Sequence, residues 1–151
     1  MLELARETDF EAIRRLSVQI HDLHAGWRPD LYYHSEEPYS KEYFLEDVQN
    51  RLVYTAKLAG VVVGYVVLSV IEKGGPGTVE YKAMKLDSIC VDESARGQGI
   101  GKAIIADVRA LARAFGCREM ILGVHPENDD AVVFYQKCGF TIRTISMEMK
   151  V

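Results

Sequence analysis

One stretch, Leu86 to Phe115, limits what this chain can fold into more than any other. It begins with a short run whose apolar residues Leu86, Ile89 and Val91 suit a buried strand. A glycine-rich loop follows from Arg96 to Gly101. From Ile100 the apolar residues Ile100, Ile104, Val108, Leu111 and Phe115 recur at steps of three and four, the period of an amphipathic helix. Gly116 then stands where a helix ends.

The loop carries the chemistry. Gly97, Gly99 and Gly101 are read as positions where the backbone takes conformations closed to other residues and where no side chain blocks a ligand. The first N–H groups of a helix lack intrahelical partners, and the helix dipole is positive there. Together these predict an anion site, most naturally for phosphate, with Arg96 and Lys102 adding charge of the right sign. A plain strand-to-helix turn, using glycine only for tightness, is the alternative. A P-loop does not fit, because Arg96 holds its first glycine position and Ala103 replaces its Ser/Thr. The dinucleotide fingerprint starting at Gly97 does not fit either, because Lys102 holds its third glycine position. What fits is Arg-x-x-Gly-x-Gly at Arg96, Gly99 and Gly101, after a strand ending in Ile-x-Val-Asp. That pattern resembles the acyl-CoA loop of the GNAT superfamily of N-acetyltransferases. A second block agrees: Asn128, Ala131, Phe134, Tyr135, Lys137, Gly139 and Phe140 match the superfamily's late motif. The resemblance is tight over about residues 85 to 142 and loose before them.

The resemblance implies a single N-acetyltransferase domain over residues 1–151. It implies an α/β (α+β) fold with a mixed, largely antiparallel central sheet flanked by helices. It implies acetyl-CoA as acyl donor and no metal. Backbone amides of Ile89, Cys90 and Val91 would pair with the pantetheine arm, and one would polarise the thioester oxygen. The loop Arg96, Gly97, Gln98, Gly99, Ile100, Gly101 and Lys102 would cradle the pyrophosphate, and Asn128 would contact the pantetheine arm. The Cys90 side chain points opposite to Ile89 and Val91 and is expected in the core.

The chain as a whole is consistent with this reading. Its 151 residues suffice for one domain with a real core, and 48% hydrophobic content marks it as globular. The net charge of −4 and the absence of a basic block give nucleic-acid binding little support. Cys90, Cys117 and Cys138 are widely spaced and odd in number, so they read as reduced thiols of a cytoplasmic protein. The N-terminus has no signal-peptide pattern. The longest uncharged run, Leu58 to Ile71, is shorter than a membrane span.

In chain order, Leu2 and Leu4 open with a strand, and Thr8 or Asp9 caps a helix running to about His24. His21 and His24 lie three apart on it and do not match the four-residue spacing of a zincin helix, so they read as ordinary surface or packing histidines. Ser40 caps a second helix, Lys41 to about Asn50. Between the two helices and into the second lie Trp27, Tyr32, Tyr33, Tyr39, Tyr43 and Phe44, interleaved with Glu36, Glu37, Glu42, Glu46 and Asp47. They suit an amine-binding wall or, equally, tyrosines packed on a sheet with solvated acids. Leu52–Leu58 and Val61–Ile71 read as strands joined by a tight turn at Ala59-Gly60, and Glu72–Thr78 as a flexible loop. Val79–Val91 and Glu119–Val124 are further strands. A short helix from Asp129 or Asp130 ends at Gly139, and Phe140–Lys150 alternates as a closing strand.

Tyr135 is the general acid that the resemblance implies. A free tyrosine has a pKa of roughly 10 and a thiol roughly 8.5, so the phenol stays protonated as the thiolate leaves. For the base, ribosomal-protein N-terminal acetyltransferases of this superfamily carry a glutamate where Gly123 stands here, which weakens a protein N-terminus as substrate. Asp87 and His125 are the leading substitutes, with Glu80, a water relay or no base as the others. The expected acceptor is a small-molecule primary amine. A peptide or protein acetyltransferase and a non-catalytic acyl-CoA-binding module are the alternatives. Neither nucleic acid nor membrane is expected as a partner, and dimers are common among proteins of this type, which leaves a homodimer open.

Overall fold

The computed structural model describes residues 1–151. Five strands form one sheet in the order β1 (Leu2–Leu4), β2 (Val53–Leu58), β3 (Val61–Gly75), β4 (Thr78–Val91) and β5 (Glu119–Leu122). Neighbours from β1 to β4 are antiparallel, and β4 and β5 are parallel. Four helices cover the faces: α1 (Phe10–Trp27), α2 (Lys41–Gln49), α3 (Ile100–Ala114) and α4 (Asp129–Lys137). The parallel pair needs a crossover, and α3 supplies it.

Each sheet face buries its own core. On one side, Ile100, Ile104, Ile105 and Val108 of α3 pack on Val66, Leu68, Met84 and Leu86. On the other, Phe10, Ile13 and Leu16 of α1 and Phe44 of α2 pack on Val53, Tyr65, Val67 and Cys90. The central strands are buried on both faces, which is why their sequence reads as continuous Val and Tyr rather than strict alternation. Ala59 and Gly60 both take positive φ, as the mirror-image two-residue hairpin turn requires. The Ser40 hydroxyl caps α2 by accepting from the Tyr43 N–H. Asp9, by contrast, gives α1 no side-chain cap. Its carboxylate accepts from the Arg6 N–H and pairs with Lys57 instead.

Two sequence expectations fail. The Glu72–Thr78 stretch is no flexible loop: β3 and β4 stay paired through Glu72–Lys82 and Lys73–Tyr81 to a turn at Pro76-Gly77. Gly74, at φ +109°, makes this possible, since a Cβ there would lie 2.6 Å from the Glu80 Cα. The closing strand is also absent, and residues 138–151 form no ladder. Their alternation is real, but a strand needs an edge to pair with, and β5 is not paired to them. Ion pairs from Arg143 to Glu119, Arg28 to Glu148 and Lys150 to Asp30 place the tail instead. Ile145, Met147 and Met149 are left at least 82% exposed.

Candidate functional site

The site begins where two parallel strands separate. The β4–β5 ladder runs from Ala83–Glu119 to Leu86–Leu122 and stops, while β4 continues to Val91 paired only with β3. Along residues 87–91 the β5 side of β4 is therefore an open edge, able to take an extended ligand as an added strand. A bulge sits at the parting point. Val67 faces Ser88 and Leu68 faces Leu86, so Asp87 is the extra residue. The bulge shifts the phase: Leu86, Ile89 and Val91 all face the α3 core, whereas Cys90 lies in the α1 core. Burial pushes the Cys90 thiol up to about 11, so its side chain is structural and only its backbone lies at the edge.

Beyond Val91 the chain is pinned. The Asp92 carboxylate accepts from the Ser94 N–H and hydroxyl and from the Arg15 guanidinium, tying α1 to the end of β4. Gly97 and Gly99 then take φ of +76° and +79°, with open space where a Cβ would stand. At these two positions glycine is demanded by conformation. Gly99 is the N-cap of α3 and lends it no side-chain cap; no acid sits in the first turn. The Ala103 N–H reaches the Gly99 carbonyl at 3.0 Å, which leaves the N–H groups of Ile100, Gly101 and Lys102 without intrahelical acceptors. Arg96 donates from Nε to the Val91 carbonyl at 3.1 Å, and Gln98 and Lys102 are exposed beside it. Gly101 differs from the reading above. It lies within α3, and its missing side chain makes room for Phe134, whose ring a Cβ would approach at 3.1 Å. Its work is to let α4 close on α3.

A cleft of about 590 Å³ opens beside the free edge. β4 contributes Asp87, Ser88 and Ile89, and α4 and its cap contribute Tyr135 and Asn128. The facing wall carries His21 and His24 of α1, Tyr39, Tyr43 and Asp47, and His125 from the segment after β5. Tyr135 packs edge-on against Phe134 and Phe140, and burial pushes its phenol up to about 12. Asn128 caps α4: its Oδ1 accepts from the Ala131 N–H at 3.3 Å, which leaves its amide NH₂ free. The two residues expected as bases are both engaged. Asp87 Oδ1 lies 2.9 Å from Lys85 Nζ, and His125 Nδ1 accepts from the Glu127 N–H at 3.2 Å.

The aromatic segment divides between its two readings. Phe44 is core and Tyr33 is solvated. Tyr39 and Tyr43 reach the cleft; Tyr39 stacks on Tyr65 and donates to Asp47 Oδ2 at 2.5 Å. Trp27 stacks on His125 with ring centroids 5.6 Å apart. Two features escape sequence reasoning: the Arg15–Asp92 tie, and the arrival of His24 at the cleft. The second had a signal, since the spacing of His21 and His24 puts both on one helix face, but nothing in the sequence says that this face meets β4.

The acetyltransferase (GNAT) family model matches residues 3–140. The chain belongs to the GNAT family. The GNAT domain is similar over 64 residues, at 34% identity, to a glucosamine 6-phosphate N-acetyltransferase of Trypanosoma brucei brucei, the match covering 42% of each chain. Against the first four curated relatives, the chain spans between 36% and 42% of their length. A mutant of the BH1408 protein of Bacillus halodurans superposes with a TM-score of 0.95 at 26% identity, covering 100% of this chain and 99% of that one. The aminoglycoside N-acetyltransferase AAC(6')-Iy, solved with CoA, shares the fold with a TM-score of 0.70 at 24% identity, over 100% of both chains. No helix is long and apolar enough to cross a membrane.

Proposed function

We propose that this GNAT protein transfers an acetyl group from acetyl-CoA to the primary amine of a small-molecule acceptor, with Tyr135 as general acid. The observation that carries the reading is the continuity of one surface. The open edge of β4 at residues 87–91 leads into the left-handed turns at Gly97 and Gly99 and the uncapped start of α3. The edge suits the amide-bearing pantetheine arm, through Ile89, Cys90 and Val91. The free N–H groups with Arg96, Gln98 and Lys102 suit the pyrophosphate. Asn128, which lines the same cleft and keeps its amide NH₂ free of the Ala131 bond, suits a contact with that arm. Tyr135 lies at the cleft end of that path. A phenol with its pKa pushed up to about 12 is protonated at neutral pH, so it can donate to the leaving sulfur.

A small amine is favoured over a protein N-terminus by Gly123, which puts no carboxylate at the strand end. It is also supported by the match to glucosamine 6-phosphate N-acetyltransferases. The test is release of CoA thiol from acetyl-CoA with glucosamine 6-phosphate, aminoglycosides, polyamines and lysine peptides as acceptors. Tyr135→Phe is expected to lower kcat about 10²- to 10⁴-fold while acetyl-CoA affinity is kept. Turnover confined to peptides transfers the reading to a protein acetyltransferase. Acetyl-CoA binding with no turnover on any amine makes the chain a sensor module.

We infer a homodimer as the assembly. The outer edge of β5 is unpaired, and the same chain carries a period-two tail, Ile145, Met147 and Met149, without a strand to join. The space beside β5 is bounded by Leu122, Gly123, Val124 and Tyr135, which also bound the cleft. The tail of a second copy laid on β5 thus closes the cleft's far wall.

A further inference from the structure

We propose that His24 is the catalytic base of this site, receiving the acceptor's proton on its Nε2. The proposal rests on the acetyl-transfer reading above. Three histidines stand on the acceptor side of the cleft, and their hydrogen bonds separate their roles. A carbonyl oxygen can only accept, and a backbone N–H can only donate, so each bond fixes a tautomer. His24 Nδ1 lies 2.9 Å from the Ile20 carbonyl and must carry the proton. In the neutral ring its outer nitrogen, Nε2, therefore holds an unshared pair. His21 is arranged the other way: its Nε2 donates to the Tyr33 carbonyl at 2.8 Å, so its ring tip is spent on that segment. His125 Nδ1 accepts from the Glu127 N–H, which places its proton on Nε2 and makes its tip a donor. Among these three rings, only His24 offers a lone pair at its tip.

The surroundings keep that ring neutral. Burial holds its pKa below the ordinary 6.5, against the opposing pull of the Ile20 carbonyl, and His125 and His21 lower it further. Trp27 and Tyr32 pack against the imidazole at 5.5 and 5.9 Å, fixing its plane. The carboxylates that share the cleft, Asp47 and Asp87, are held by Tyr39 and Lys85. His24 is thus unprotonated at neutral pH without help from a carboxylate, as a base must be.

The step balances as follows. The acceptor arrives as an ammonium and gives one proton to His24 Nε2. The freed nitrogen pair attacks the thioester carbon, the C–N bond forms and the carbonyl electrons move to oxygen. Collapse breaks the C–S bond, and Tyr135 gives its proton to the sulfur. The second proton on the new amide nitrogen restores Tyr135, and His24 releases its proton to solvent. A base with a pKa under 6.5 works best on an amine of lowered basicity. An amine like an α-amino group, with a pKa of about 7.9, is about 300-fold more neutral at pH 7 than a lysine amine at about 10.4. An amine flanked by oxygen-bearing carbons, as in an amino sugar, is weakened by the same inductive pull. The acceptor class expected from His24 is therefore an amino sugar or α-amino compound rather than lysine.

Two measurements test this. Long-range ¹H–¹⁵N spectra of the whole protein report each ring's tautomer and titration without any turnover. The expected result is Nδ1–H on His24, Nε2–H on His125, and His24 titrating below pH 6.5. The opposite tautomer on His24, or a protonated ring at pH 7, overturns the proposal. The second is the pH dependence of kcat/KM with glucosamine 6-phosphate. The wild type should show an acid limb matching the titration of His24. His24→Gln should lose that limb and about 10²-fold in rate, with acetyl-CoA affinity and Tm nearly unchanged, while His21→Gln keeps a limb, moved slightly to higher pH because His21 lowers the His24 pKa. A His24→Gln enzyme with full rate and an intact limb refutes the role. Absence of wild-type turnover with every acceptor, despite acetyl-CoA binding, fails the acetyl-transfer reading itself and removes the proposal with it.

Discussion

Gly64→Ala should destabilise this protein by an amount that its geometry sets. Gly64 lies in β3, with Ala56 on β2 on one side and Val91 on β4 on the other. A Cβ built there stands 3.0 Å from the Cys90 carbonyl oxygen, 3.2 Å from Ile104 Cδ1 and 3.7 Å from Ala56 Cβ. Ile104 can yield a few tenths of an ångström by turning. The Cys90 carbonyl cannot, because it belongs to the backbone of a neighbouring paired strand. Overpacking of this kind costs about 1–3 kcal/mol. Against it stands the gain of replacing glycine in a strand, about 0.5–1 kcal/mol. The net loss is about 0–2.5 kcal/mol, and because the unyielding contact is backbone it is expected in the upper half of that range, a fall in Tm of roughly 3–8 °C for a domain of this size. Urea unfolding followed by circular dichroism measures it. Gly26→Ala, on α1 with nothing within 4 Å of its Cβ, is the control and should gain up to about 1 kcal/mol. Because the strained contact is at Cys90, Gly64→Ala should also weaken acetyl-CoA binding, which Gly26→Ala should not. A Gly64→Ala protein as stable as wild type, or stabilised like the control, would refute the packing argument.

The Arg15–Asp92 tie gives acid sensitivity of a definite sign. Asp92 is held down to about 2, first by the Arg15 guanidinium and then by Ser94. Its folded pKa lies below the unfolded value of about 3.9, so its stabilisation is complete above that value and fades as pH falls from about 4 towards 2. Arg15 is half exposed, so screening limits the pair to about 1 kcal/mol. Arg15→Ala should cost that much in urea unfolding at pH 7 and very little near pH 2; an equal cost at both would mean that packing, not charge, is lost. For the tail, light scattering should find a dimer that Ile145→Lys with Met147→Lys dissociates. A monomeric wild type, or a dimer indifferent to both changes, would remove the exchanged-tail assembly.

The sequence by itself determined the strand, the glycine turn and the helix at residues 86–115, because conformational demand and helical period are local properties written in single residues. It determined the α4 block as well, and with it the family. It marked Leu86, Ile89 and Val91 as the apolar residues of that strand, and the bulge at Asp87 is what brings these residues of mixed parity to one face. What it missed depends on contacts between distant parts of the chain. Gly101 reads like its neighbours Gly97 and Gly99, yet its reason is Phe134, thirty-three positions away and brought in by the folding of α4. The alternation of Phe140–Lys150 is a strand's pattern, but no pattern supplies the edge that a strand must pair with. The base shows the same division. Asp87 and His125 were legible as candidates and both line the cleft, but only the tertiary structure shows their partners, Lys85 beside Asp87 and the Glu127 N–H on His125 Nδ1. The role proposed for His24 arises in the opposite way, because the packing of α1 makes His24 part of the cleft wall and burial lowers its pKa. A lone pair becomes available or committed through what surrounds it in space, and residue type alone does not record that.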